Sequence, residues 1–137
     1  MKTKKWLIIV GAAVFIAGTF SCGGDNYADV KKVLADGNKV LESFLDDMGK
    51  AESADQVANI LTDFNKAMGK LMPEMRQLEE KYPELLKGQE IPPELGEVGQ
   101  KSMELWKQFP NVLMQAQQYA DNEKVQKAMD ELQNILN

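Results

Sequence analysis

Ser53-Ala54-Asp55-Gln56-Val57-Ala58-Asn59-Ile60-Leu61-Thr62-Asp63-Phe64, continued from Asn65 to Tyr82, is the stretch that decides the fold. It opens with a helix-start signature, in which Ser53 takes the backbone N–H of Gln56 while the Gln56 side chain reaches back. Apolar residues then recur at Val57, Leu61, Phe64, Met68, Leu71, Met75, Leu78 and Tyr82, in alternating steps of four and three. That is the period of one helix face packed against neighbours. Pro73 falls inside the run. It has no N–H, and its ring opposes the carbonyl of Gly69, so a kink or break is expected there.

The same period extends in both directions. Upstream, Tyr27, Val30, Leu34, Gly37, Leu41, Phe44 and Met48 form a first seam, with Gly49 as its expected stop. Downstream, Pro83 and the glycine- and proline-bearing segment from Lys87 to Pro93 make the one long connection, and Pro92-Pro93-Glu94 reads as a helix start. A third seam follows: Leu95, Val98, Ser102, Leu105, Phe109, Val112, Ala116 and Tyr119. It keeps register through Pro110, as one kinked helix would. Asp121 or Asn122 then caps a fourth helix carrying Val125, Met129, Leu132 and Leu136. No segment alternates with period two for long enough to make a strand.

Four helices joined short, long, short predict an all-α fold: an antiparallel up-down four-helix bundle with helices two and three kinked. The last helix spans only about 22 Å against about 35 Å for its neighbours. One end should therefore be three helices thick, or opened by the kinks.

Ahead of the bundle the chain changes character. Lys2, Lys4 and Lys5 are followed by Trp6 to Phe20 without a charged residue. A basic start, an apolar run of about 15 residues and a small residue at its end make a secretory signal peptide, and a spanning helix needs about 20 apolar residues. Thr19-Phe20-Ser21-Cys22 resembles the lipobox of bacterial lipoproteins, with Thr19 where that family prefers leucine. The resemblance implies cleavage before Cys22 and acylation of its thiol; the other reading is an ordinary signal peptide that leaves Cys22 free. The chain then divides into a signal peptide (1–21), an acylated cysteine with a flexible tether (22–26) and a helical domain (27–137). Gly23 follows the cysteine in place of the aspartate that retains enteric lipoproteins in the inner membrane. The implied location is the cell envelope, lipid-anchored at the outer membrane and facing the periplasm or the cell surface.

Composition narrows the chemistry. The 137 residues include one cysteine and no histidine. Cys/His zinc sites, histidine-based triads and an intramolecular disulfide are excluded. Without the signal, 13 basic residues face 21 acidic ones, a net charge of −8. Such a domain is repelled by phosphate backbones, so nucleic acid is not an expected partner.

Lys50 to Gln133 is similar to the small periplasmic b-type cytochrome that folds as a four-helix bundle. The likeness rests on the turn and cap at Ala51-Glu52-Ser53-Ala54-Asp55-Gln56-Val57, the proline-rich connection and the turn at Asp121. That family holds haem through a methionine near the start of helix one and a histidine on helix four. Tyr27 to Val33 holds no methionine and the chain no histidine, so the resemblance implies the architecture without the haem, and no cofactor is expected.

Two constellations remain. Met68, Met72 and Met75 share one helical face and suit a soft ion such as Cu(I), or else fill the core. Met103, Trp106 and Phe109 could form a partner patch, or pack inside. Asp46, Asp47, Glu79, Glu80, Glu84, Glu90, Glu94 and Glu97 read as a solvated surface. Gly37 allows close helix approach or leaves room for an apolar guest. The expected function is a lipid-anchored, non-catalytic interaction or structural module of the envelope, with an envelope protein as its possible partner. The alternative is a periplasmic carrier of an apolar ligand or a soft metal.

Overall fold

A computed structural model describes residues 14–15, 27–87, 89–90 and 92–137. The expected signal peptide, Cys22 and the tether lie outside the described residues, apart from Val14–Phe15 (β1). This pair makes a two-residue antiparallel ladder with Gln89–Glu90 (β2). The rest of the regular structure is helical: α1 Ala28–Lys50, α2 Ala54–Lys81, α3 Pro83–Lys87, α4 Gly96–Gln117 and α5 Glu123–Leu136, with a 3-10 turn at Pro93–Leu95. The fold class is all-α.

Local chemistry explains the helix ends. Ser53 Oγ accepts the Gln56 N–H at 3.3 Å, while Gln56 Oε1 accepts the N–H of Glu52 at 2.8 Å, one residue earlier than a standard capping box. Asn122 caps α5, its Oδ1 accepting from the N–H groups of Lys124 and Val125 at 3.0 and 3.4 Å. Tyr82 ends α2 because the following Pro83 pushes it out of the helical region, to φ −126° and ψ 64°.

Of the kink or break expected at Pro73, the break does not occur, and α2 runs through it. Both Pro73 and Gly69 are exposed, so the proline ring and the carbonyl deprived of its N–H face water. Gly49 does not stop α1, which continues to Lys50. The helix ends where Ala51 turns to extended backbone and donates to the Met48 carbonyl at 3.2 Å.

Among the long helices the close contacts fall on three pairs: α1 with α2, α1 with α4, and α2 with α5. Tyr27 meets Tyr82 and Phe44 stacks on Phe64, so α1 and α2 form an antiparallel hairpin. Along α1 and α4 the partners rise together: Asn38 with Val98, Glu42 with Lys101, Met48 with Gln115. These helices run parallel. So do α2 and α5, through Asp55 with Lys124 and Asn65 with Ala128. The Tyr27–Tyr82 and Phe44–Phe64 contacts set α1 and α2 running in opposite directions. Two of the three close pairs are nevertheless parallel, where an antiparallel up-down bundle sets antiparallel neighbours side by side. Loop lengths decide which helix comes next; buried contacts decide which face receives it.

The main core unites Leu41, Phe44, Met48, Val57, Leu61, Phe64 and Met68 with Leu105, Phe109 and Ala116 from α4 and Val125, Ala128 and Leu132 from α5. Phe109 lies 5.7 Å from both Phe44 and Phe64, so one ring ties three helices. Val30, Val33 and Leu95 are buried outside this cluster, towards the end where the chain enters α1.

Candidate functional site

Met68 and Met72 are buried in the main core, and Met75 is half-buried against it. Met72 stands off the strict seam and is buried all the same, because α2 packs against two helices and its apolar arc is wider than one seam. Among the described residues, no group of three or more acidic or cysteine side chains could hold a metal ion.

Phe109 belongs to the core. Trp106 is half-buried and meets Phe109 edge-on at 4.8 Å, and Met103 is half-buried a turn before it. Among the described residues, the large apolar side chain that does reach solvent is Met114, 64% exposed. It stands outside the third seam, and seam periodicity therefore says nothing of it. At Gly37 an added Cβ would meet nothing within 4 Å, so close helix approach is not what this glycine provides.

The end of the domain next to the expected tether carries a compact polar cluster. Tyr27 adopts φ 69° and ψ 24°, left-handed backbone that a bulky residue rarely takes. Its ring lies 5.0 Å from that of Tyr82, and its hydroxyl donates to Glu84 Oε1 at 3.3 Å. Asp29 accepts from both Lys81 Nζ and the Tyr82 hydroxyl. The Lys81 bond, with help from Tyr82, holds the Asp29 carboxyl below its ordinary value, and the same bond raises Lys81. Burial, reinforced by the Glu84 charge, raises Tyr27. One turn up α2, Glu79 has an enclosed Oε1 without a partner, and burial pushes its carboxyl up.

Two buried asparagines escaped sequence reading. Asn38 Nδ2 donates to the Val98 carbonyl at 3.0 Å, and Asn65 Nδ2 to the Ala128 carbonyl at 2.8 Å. Each joins one helix of the α1–α2 hairpin to its parallel neighbour. The Oδ1 of Asn65 is enclosed without a partner. Both residues sit beside seam positions, and the only available signal was that placement.

A groove of about 330 Å³ lies along the α1–α2 hairpin, floored by Val40, Phe44, Ile60, Phe64 and Ala67. Its residues stand on the flank of α1 opposite Glu42 and Asn38, and on the flank of α2 opposite Asn65. It therefore faces away from α4 and α5.

No protein-family model, no curated protein and no solved structure matches this chain.

Proposed function

We propose that this chain is a lipid-anchored helical protein of the bacterial envelope, acting as a non-catalytic interaction or structural module. The observation that carries the reading is the succession of three lysines, an uncharged run from Trp6 to Phe20, and Ser21-Cys22, with an acidic helical domain opening five residues after the cysteine. Acyl chains on Cys22 would hold the domain at the membrane, since each buried CH₂ adds about 0.8 kcal/mol. Five residues reach at most about 18 Å, so the Tyr27 end of the domain would stand at the lipid headgroups. The absence of histidine from the sequence and the solvated character of most carboxylates support a module without catalysis. As architecture we propose one four-helix bundle of α1, α2, α4 and α5, supported by their shared core.

The test is metabolic labelling of the full chain in a bacterial host with a clickable fatty acid. Label should enter the wild type, be absent from Cys22→Ala, and fall when the lipoprotein signal peptidase is inhibited. A wild-type chain that matures without label and keeps a free thiol at Cys22 overturns the reading.

A further inference from the structure

Apolar burial alone leaves the pairing of these helices open. It is non-directional, so an apolar arc accepts a parallel or an antiparallel neighbour. The 14 residues between α2 and α4 are enough to deliver α4 to the flank of either α1 or α2, since packed helices lie about 8–10 Å apart. α5 then takes the flank that α4 leaves free. Two seatings bury much the same side chains: the observed one, α4 on α1 and α5 on α2, and its exchange, α4 on α2 and α5 on α1. The exchange would make every one of these neighbours antiparallel.

Two polar contacts tell the seatings apart. Asn38 and Asn65 are each 4% exposed, and each donates its Nδ2 to a main-chain carbonyl of the neighbouring helix. A short side-chain amide reaches another helix's backbone where that helix carries a small residue at the contact. Both partners do: the Val98 carbonyl adjoins Gly99, which is buried, and the other carbonyl belongs to buried Ala128. Each contact is an amide fitted to a notch.

The notches stand at different levels. Tyr27 opposite Tyr82 and Phe44 opposite Phe64 set the levels along the hairpin. They place Asn65 beside the Phe44 layer and Asn38 about five residues, or about 7.5 Å, nearer the Tyr27 end. In the exchanged seating, with each helix kept at its own height, Asn65 would meet α4 at the level of Phe109, whose ring lies 5.7 Å from both Phe44 and Phe64. Asn38 would meet α5 near Leu132. Both amides would then be buried against large apolar side chains without a partner, at the full cost of their desolvation. We propose that Asn38 and Asn65 select the helix pairing, each amide admitting only the helix whose notch lies at its own level. Lipid anchoring plays no part in this selection, and either reading stands if the other fails.

Exposed ion pairs report the pairing. In the full chain, held in dodecylmaltoside micelles, a zero-length carbodiimide should join Lys101 to Glu42 and Lys124 to Asp55, whose charged atoms lie 2.8 and 2.7 Å apart. Lys50 and Asp46, both on α1, give an internal reference link. Mass spectrometry of the digest reads the yields. Asn38→Leu or Asn65→Leu alone should keep both interhelix links, because the remaining amide seats one helix and so fixes the other. The double variant should melt cooperatively, at or above the wild-type temperature, since two buried amides give way to hydrocarbon. It should lose about half or more of both links and show a second set of amide NMR signals from α4 and α5, because seatings of near-equal energy are near-equally populated. Wild-type yields in the double variant would overturn the proposal, since apolar packing alone would then set the pairing. So would links lost in either single variant, or absent from the wild type. A double variant without a cooperative melt would overturn it too, for the amides would then stabilise the fold and choose nothing.

Discussion

The two ends of the molecule are held together by different forces. Where α1 turns into α2 and α4 into α5, all four long helices contribute to one core, and Met48, Val57, Ala116 and Val125 are sealed from solvent. At the opposite end α5 has run out. With 14 residues it is about 21 Å long, begins beside Asp55, and covers about half of the 28-residue α2. What remains is a small apolar group of Val30, Val33 and Leu95, with Tyr27, Asp29, Lys81, Tyr82 and Glu84 bound to each other at the rim. Hydrocarbon burial does not titrate and is not screened by salt; exposed ion pairs titrate and are screened. The difference teaches that the turn end sets the stability of the domain, while the tether end sets its response to conditions.

The largest expected effect tests the first half of that statement. Phe64→Ala, which removes a ring stacked at 4.2 Å on Phe44, should cost about 3–5 kcal/mol in urea denaturation. Val33→Ala, at the tether end, should cost about 1–2 kcal/mol. Equal losses would erase the distinction between the ends.

The next prediction separates the two asparagines. Asn65→Asp places a carboxylate where one oxygen is already enclosed and unpaired, and should cost about 3 kcal/mol at neutral pH. Asn38→Asp should cost less, since no atom of Asn38 is enclosed without a partner. A reversed order would mean that the parallel pairs are pinned differently from what their geometry indicates.

Acid should loosen the tether end before the core. Asp29 is held below its ordinary 3.8, so its contribution is present above that value and is lost as pH falls through the lower folded one. Glu79 has the opposite sign. Its raised carboxyl favours the folded state below 4.5 and ceases to do so as pH rises through the folded value. Hydrogen exchange at pH 6 and pH 3 should therefore show amides of 28–33 losing protection in acid ahead of 41–48. Asp29→Asn should narrow that gap, whereas Glu79→Gln should raise the melting temperature at pH 7 and not at pH 4. The smallest effect is expected at Gly37, where alanine meets open space and should add about 0.5–1 kcal/mol of stability by reducing unfolded-chain freedom.

Much of this was legible from residue spacing. The alternation of threes and fours marked Leu41, Phe44, Met48, Val57, Leu61 and Phe64, and all are buried. The same rule missed Ala58, Met72, Ala128 and the two asparagines, since a helix with two neighbours buries a broad arc and not a line. Parallel pairing was not legible at all. A connection of three or five residues limits where the next helix begins, but Asn38 and Asn65 reach their partners across more than 59 residues of chain, a separation that no local pattern encodes. At Pro73 periodicity places the residue inside a helix, and only the exposure of its flank shows why the helix runs on through it.

Met114 stands 64% exposed, whereas Met48 and Met68 are 0% and 2% exposed. Thioethers oxidise to sulfoxides in order of access. Under mild peroxide Met114 should carry the first oxygen while Met48 and Met68 stay intact until the helices part. The seven methionines after Met1 thus form a graded chemical clock, and the order in which they gain 16 mass units, about one oxygen each, would record how far the domain has opened.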